Sequence, residues 1–433
     1  MSVKVLIITY YWPPAGGPGV QRWLKFVKYL PDYNIEPIVY CPDNPNYPIL
    51  DSLLEEEVPK GITILKHKIS EPYKFANVVS KSNSKRISSG VIPKQNKQSL
   101  IQKVMLFIRG NCFIPDARKN WVNPSVKFLS EYINKHQIET IITTGPPHSL
   151  HLIGLKLKKR IGVKWFADFR DPWTTIGYQK QLKLTRASEK KHFRLEHEVL
   201  NSADQIIVTS ETTKKEFLFK TEKPIEVITN GYDNHTVERP KKDTKFTISH
   251  IGSLLSERNP KNLWKTLKEL VKENQDFKES FQLNLIGIVS EDVLQSIYEH
   301  DLKQFVNYIG YVNHKEAIKL QMQSRVLLLI EINSEDTKAI IPGKLFEYMA
   351  SETPILAIGP EDSDVEQILK STNTGHYFYY NDSEKIKSQI MSYFEAYKNN
   401  TLTTHPIGLK QYSRKELTSK LAKLILKSAE ITA

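Results

Sequence analysis

The chain has 433 residues, 40% apolar and 25% charged, which argues for two or three domains with real cores and excludes a disordered, collagenous or small disulfide-stapled chain. Lys and Arg number 61 against 48 Asp and Glu, a net charge of +13, but residues 1–200 hold 31 basic and 16 acidic side chains while the rest hold 30 and 32. The basic half predicts an anionic partner, which on charge alone is a nucleic acid, a membrane surface or a phosphorylated substrate, against the plainer reading of a solvated basic surface.

Cys41 and Cys112 are too few for a disulfide framework and lack metal-ligand spacing, which fits a reducing cytosol and no bound metal. The apolar stretch that starts at Val5 is cut off by Trp12, Pro13 and Pro14, too early for a signal peptide. No run approaches the ~18–20 apolar residues of a spanning helix.

From the N-terminus, β-branched runs at residues 4–9, 37–40, 63–66, 140–144, 164–168 and 205–209 alternate with helical patterns, and the alternation restarts at 247–251, 282–286, 306–309, 326–331 and 354–358. This is the pattern of parallel sheets covered by helices, predicting two doubly wound sheets with a seam near residues 237–244. Residues 74–98, rich in Lys, Ser and Asn, read as an excursion from the first domain. After them Val104, Met105, Phe107 and Ile108 recur at helical spacing beside Lys103 and Arg109. That segment is either a basic amphipathic helix for anionic headgroups or an apolar stripe packed on its own domain. A second amphipathic helix is predicted over 414–428.

Ligands of open α/β sheets bind beyond the carboxyl ends of the strands. The first strand is followed by Gly16, Gly17 and Gly19, which let backbone N–H groups approach a phosphate, although Val20, Gln21 and Arg22 stand where a dinucleotide fingerprint needs a third small residue. A hydride-transfer enzyme is thereby disfavoured. His148 follows Gly145 at another strand end, with His151 further along the helix. Asp168, Phe169, Arg170, Asp171 and Trp173 crowd the next one, as ligand contacts or as an ion pair of Arg170 that staples the loop. In the second half Gly252 and Ser253 precede Arg258, and Gly343 opens a helix bearing Lys344 and Glu347 three residues apart. Two cations suit a diphosphate and a carboxylate can grip ribose hydroxyls, whereas a surface ion pair at that spacing is the plainer alternative.

In this order, Trp12 to Gly17, Asp168 to Trp173, Thr229 to Asp233, His250 to Ser253 and Pro342 to Tyr348 resemble the bacterial group 1 glycosyltransferases, glycosyltransferase family 4. The resemblance implies the GT-B fold, two facing Rossmann-like domains with a C-terminal helix crossing back, here expected as 1–236, 237–408 and 409–433. It implies a retaining, metal-independent transfer from a nucleotide diphosphate sugar with no further cofactor. Gly16, Gly17, Gly252, Ser253, Arg258, Gly343, Lys344 and Glu347 are expected on the donor, and His148, Asp168 and Arg170 at the catalytic, acceptor side. Glu347 matches the second Glu of the family's E-x7-E motif, while Ala339 stands where the first belongs. The backbone at 341–343 or Glu331 is the expected substitute. The implied acceptor is a glycan or lipid-linked intermediate of cell-surface polysaccharide or lipopolysaccharide assembly, met by a cytoplasmic protein in peripheral contact with the anionic inner membrane face. A nucleotide-sugar-binding protein without turnover remains the main rival, and a nucleic-acid-binding α/β protein, which has no recognition motif in this chain, the lesser one.

Overall fold

The computed structural model describes residues 2–71, 100–180, 182–233 and 239–430; the expected excursion over 74–98 lies outside them. The chain divides into two compact units, residues 1–230 with 414–433 and residues 231–413, against expected limits of 236/237 and 408/409.

Unit 1 is a parallel sheet of β1 (Val3–Ile8), β2 (Ile35–Pro42), β3 (Thr63–His67), β4 (Thr140–Gly145), β5 (Lys164–Phe169), β6 (Gln205–Val208) and β7 (Ile225–Val227) in the order β3-β2-β1-β4-β5-β6-β7. Its main helices are α1 (Pro18–Tyr29), α2 (Leu100–Cys112), α3 (Val122–His136), α4 (Ser149–Ile161), α5 (Arg186–Ser202) and α6 (Glu211–Leu218). Because strand side chains alternate between faces, β1 sends Leu6 and Ile8 into one core and Val5 and Ile7 into another. A strand buried on both sides therefore reads as a continuous apolar run. The second core also takes Leu417, Leu421, Ala422 and Ile425 of the C-terminal helix Arg414–Glu430. That helix is tied further by Arg414 to Gln21 and Lys420 to Glu226.

Unit 2 repeats the plan with β8 (Phe246–Ile251), β9 (Phe281–Ile286), β10 (Val306–Gly310), β11 (Val326–Ile330), β12 (Ile355–Gly359) and β13 (Gly375–Tyr379) in the order β10-β9-β8-β11-β12-β13, all parallel. Around it lie α7 (Lys261–Glu273), α8 (Glu291–Glu299), α9 (His314–Gln323), α10 (Lys344–Ala350), α11 (Asp364–Thr372) and α12 (Ser383–Lys398). In each sheet the chain first winds one way and then the other, so strand order reverses between β1 and β4 and between β8 and β11. The loops after those strands diverge and leave a crevice within each unit. Among the described residues no helix is long and apolar enough to cross a membrane.

Candidate functional site

In unit 2 the reversal places two loops side by side, residues 252–260 after β8 and 331–343 after β11. Gly252 directly follows β8 and Gly287 directly follows β9, with φ of 118° and 115°. A Cβ on Gly287 would come within 2.5 Å of the Gly252 carbonyl oxygen, so glycine is needed there for close approach as well as for conformation. A Cβ on Gly252 would in turn lie 3.2 Å from Lys344 Nζ. The ammonium rests on the end of β8, donating to the Ile251 carbonyl at 3.1 Å and standing 3.2 Å from His250 Nε2. Burial, with the nearby Arg258 guanidinium adding to it, pushes Lys344 down to about 7. Burial likewise holds His250 neutral, with Lys344 reinforcing the effect, so its Nε2 accepts from Lys344 while Nδ1 donates to the Leu328 carbonyl, 3.0 Å away.

Lys344 and Glu347 form no ion pair with each other among the described residues, so the plainer reading of a surface pair at that spacing falls away. Three residues of helix separate their directions enough that Lys344 turns to β8 and Glu347 to α9. There the carboxylate meets His314 Nε2 at 2.9 Å and Gln321 Nε2 at 3.3 Å. Gly343 begins α10 in ordinary helical conformation, and Ser253 is exposed.

Glu331, directly after β11, is buried and accepts from Ser363 Oγ at 3.0 Å and from Tyr377 Oη at 2.7 Å. Burial raises it to about 7 against the opposing pull of Tyr377, Ser363 and Arg258. Tyr380 Oη donates to its carbonyl at 2.6 Å. The carboxylate thus ties the ends of β11, β12 and β13 together on the side of the crevice where Arg258 stands. Arg258 is itself lowered by burial, against Tyr380, Glu257 and Glu331.

In unit 1, Gly17 caps α1 with φ 101° and no side-chain hydrogen bond. Gly16 is packed rather than open: its N–H donates to the Ile49 carbonyl at 3.0 Å, and a Cβ would meet Ile49 at 2.9 Å. A side chain at Gly19 would collide with the Arg170 guanidinium, which donates to the Pro146 carbonyl and lies 5.8 Å from the Tyr11 ring centroid. Arg170 therefore sits at the first turn of α1, between the loops that follow β1 and β4.

Asp168 and His148 differ from the expected lining role. Asp168 is 0% exposed and receives Arg22 at 2.8 and 3.3 Å, Trp23 Nε1 at 2.9 Å and Thr144 Oγ1 at 2.8 Å. Burial alone would raise this carboxyl, but Arg22 and the other donors outweigh it and hold it below its ordinary value. It fastens α1 to the sheet. The alternative of an Arg170 ion pair that staples the loop is not what forms among the described residues: Asp168 is taken by Arg22, and Arg170 donates to the Pro146 carbonyl instead. His148 is 3% exposed, and its ring lies 4.9 Å from Trp173 with the planes 3° apart. Neither nitrogen has a partner among the described residues, and burial, with smaller contributions from His151, Arg170 and His192, keeps it neutral. It is a packing aromatic beneath the loop, and Asp116 accepts from the Ser149 N–H and hydroxyl at the start of α4 beside it, both at 2.8 Å.

Residues 232–402 match the family model described as Glycosyl transferases group 1. The matched region holds Gly252, Arg258, Glu331, Lys344 and Glu347, so every unit 2 feature above lies inside the matched stretch. A search of curated proteins found no match. Among solved structures, the chain is similar to the lipopolysaccharide outer core galactosyltransferase WaaB in its apo form, with 14% identity, TM-score 0.58 and coverage of 98% of this chain and 100% of that one. It is similar to Anabaena Alr3699/HepE in complex with UDP, with 12% identity, TM-score 0.61 and coverage of 99% and 100%. A putative UDP-N-acetylglucosamine 2-epimerase from Listeria monocytogenes gives 12% identity, TM-score 0.58 and coverage of 100% and 98%. At such identities the likeness shows the GT-B fold alone, and an epimerase shares it with transferases.

Sequence reasoning missed Arg22, His314 and Tyr377. Arg22 stands in the first turns of α1 and His314 opens the helix after β10, both at strand ends where a polar residue is informative. Nothing in the sequence links Tyr377 to Glu331, since β13 itself was not predicted.

Proposed function

We propose that this chain is a retaining, metal-independent glycosyltransferase that moves a sugar from a nucleoside diphosphate donor to a glycan or lipid-linked acceptor in cell-surface glycan assembly, in peripheral contact with an anionic membrane face. The observation that carries the reading is Lys344. It is an ammonium held at the end of β8 by the Ile251 carbonyl and His250, in the stretch that matches the group 1 glycosyl transferase model and beside Arg258, with no carboxylate partner among the described residues. A buried cation beside a second cation is unfavourable until an anion neutralises both, and a diphosphate carries the needed charge.

In this reading the bond from the anomeric carbon to the diphosphate breaks as an acceptor hydroxyl bonds to that carbon on the same face, and the hydroxyl proton passes to the departing diphosphate oxygen. The principal demand is stabilisation of the departing diphosphate, which Lys344 and Arg258 supply as fixed charges. Fixed cations take the part a divalent ion would otherwise play. Glu347 grips the ribose hydroxyls, with His314 and Gln321 orienting it, and Glu331 takes over from the Glu absent at Ala339 by holding Arg258. Arg170 stands on the acceptor side at the α1 terminus. Trials of UDP-, GDP- and TDP-sugars, by thermal shift and then by release of nucleotide with and without oligosaccharide acceptors, test it. A nucleotide sugar that stabilises the wild type but not Lys344→Ala, and is turned over, supports transfer; stabilisation without turnover of any donor would return the chain to a binding role.

A further inference from the structure

The sequence left two readings of residues 104–109 open, a helix for headgroups or a stripe packed on its own domain. The structure divides the helix between them. On α2, Leu106 and Gly110 point inward, and a Cβ at Gly110 would lie 2.7 Å from the Leu184 side chain and 2.9 Å from Leu182. Asn111 fixes the same junction, donating to the Lys183 carbonyl at 3.3 Å and accepting from the Thr185 N–H at 2.8 Å. At 100° per residue Val104 and Ile108 lie opposite Leu106 and Gly110 and Phe107 lies on the flank between, and these are 56%, 43% and 44% exposed. An apolar face therefore remains outward after the helix has docked.

The junction brings a second element beside that face. The segment at 182–185 leads straight into α5, whose start is capped by Thr185. Lys183, Arg186, Lys190, Lys191 and Arg194 of this stretch are all exposed, and Phe193 among them is 48% exposed. Against these five cations there is one exposed carboxylate before residue 195, Glu189. Among the described residues none of the five forms an ion pair, although Lys158, Lys159 and Lys220 of the same unit each do. Exposed aromatic and aliphatic side chains next to unpaired cations, on two helices joined at Gly110, fit the interfacial layer of an anionic bilayer. There the apolar groups enter the acyl boundary while the cations stay among headgroups.

We infer that the outer face of α2, with the first half of α5, is the surface by which this chain docks on anionic lipid. The inference deepens the peripheral contact proposed above and names its residues, but it does not depend on the donor chemistry. Because α5 starts on the side of the sheet where the strands end, the lipid surface adjoins the edge that carries Arg170 and Gly17. An acceptor anchored in the bilayer would then be presented to the acceptor-side crevice.

The test uses the full chain in sedimentation with vesicles of phosphatidylcholine alone or with phosphatidylserine, at low and high salt. Binding is expected only to the anionic vesicles and to be released by salt. The Phe107→Ser/Ile108→Ser variant is expected to lower the partition about tenfold or more, and Lys190→Gln/Arg194→Gln about 30-fold. The latter changes only exposed side chains, so it keeps the test informative if the first variant folds poorly; melting temperature and donor-induced thermal shift, measured on both, report folding and the donor site separately. Failure of the wild type to bind anionic vesicles, binding indifferent to salt, or unchanged binding by both folded variants would overturn the assignment. So would a concentration-dependent dimer abolished by the serine variant, which would make the face a contact between copies.

Discussion

Lys344 Nζ lies 3.2 Å from His250 Nε2, and of the two the imidazole is the acceptor. His250 has committed its other nitrogen to Leu328 and is held neutral by burial. The lysine beside it is pushed down to about 7, first by burial and then by Arg258. Near neutral pH the site is therefore poised between a charged and an uncharged lysine, and an anion selects the charged one.

Donor binding should accordingly weaken with rising pH. The free site loses its lysine proton above about 7, whereas the diphosphate-bound site keeps it, so affinity falls by about tenfold per pH unit above that point until the bound lysine also titrates. Calorimetric titration of UDP between pH 6.5 and 9 measures the slope, and Lys344→Arg, which stays charged throughout, should remove it.

Removing the Glu347 carboxylate should affect the donor rather than the acceptor. Glu347→Gln keeps the volume and one acceptor oxygen but loses the charge-assisted bonds, and KM for the donor should rise about 10- to 100-fold while KM for the acceptor stays put. A 2′-deoxyribose donor should lose affinity on the wild type and lose little more on the variant.

The Arg22–Asp168 pair should prove costly to break and cheap to remove. Either Arg22→Met or Asp168→Leu leaves a buried charge unpaired, at about 3–5 kcal/mol of unit 1 stability. The double variant should recover much of that, since no orphaned charge remains. Urea unfolding followed by fluorescence of the buried tryptophans of unit 1 measures the coupling.

Glu331 should make unit 2 less stable as pH rises. Its folded value, raised to about 7 from 4.5, lies above its unfolded value. The stabilisation from the protonated carboxyl is complete below about 4.5 and is lost as pH climbs through 7, a change on the order of 3 kcal/mol. Glu331→Gln, whose amide can accept from one of the Ser363 and Tyr377 hydroxyls and donate to the other, should flatten thermal stability between pH 5 and 8.

The strands of both sheets were legible where they are buried on two faces, because a run such as Val326 to Ile330 admits few other readings. Those that escaped notice are edges: β7 is three residues bounded by Pro224, and β13, Gly375 to Tyr379, mixes glycine, histidine and aromatics with no β-branched residue. The site was legible as a set of strand-end residues but not as a set of partners. Spacing put Lys344 and Glu347 on one helix, while the neighbours that separate them, His250 and His314, come from strands and helices far away in sequence. Asp168 drew attention as an expensive charge, and the cost is met by Arg22, 146 residues earlier. Burial, which separates a charge that binds a ligand from one that binds its own chain, has no local signature.

The helix Arg414–Glu430 completes a core laid down by residues 5–228 of unit 1, so the 183 residues of unit 2 interrupt unit 1. During synthesis unit 2 is whole before unit 1 is. The basic unit must therefore wait, with Trp23, Val27 and Leu30 short of their final cover, until Arg414–Glu430 has been synthesised. A stalled or clipped chain would display that unfinished apolar surface to chaperones and proteases while unit 2 was already folded.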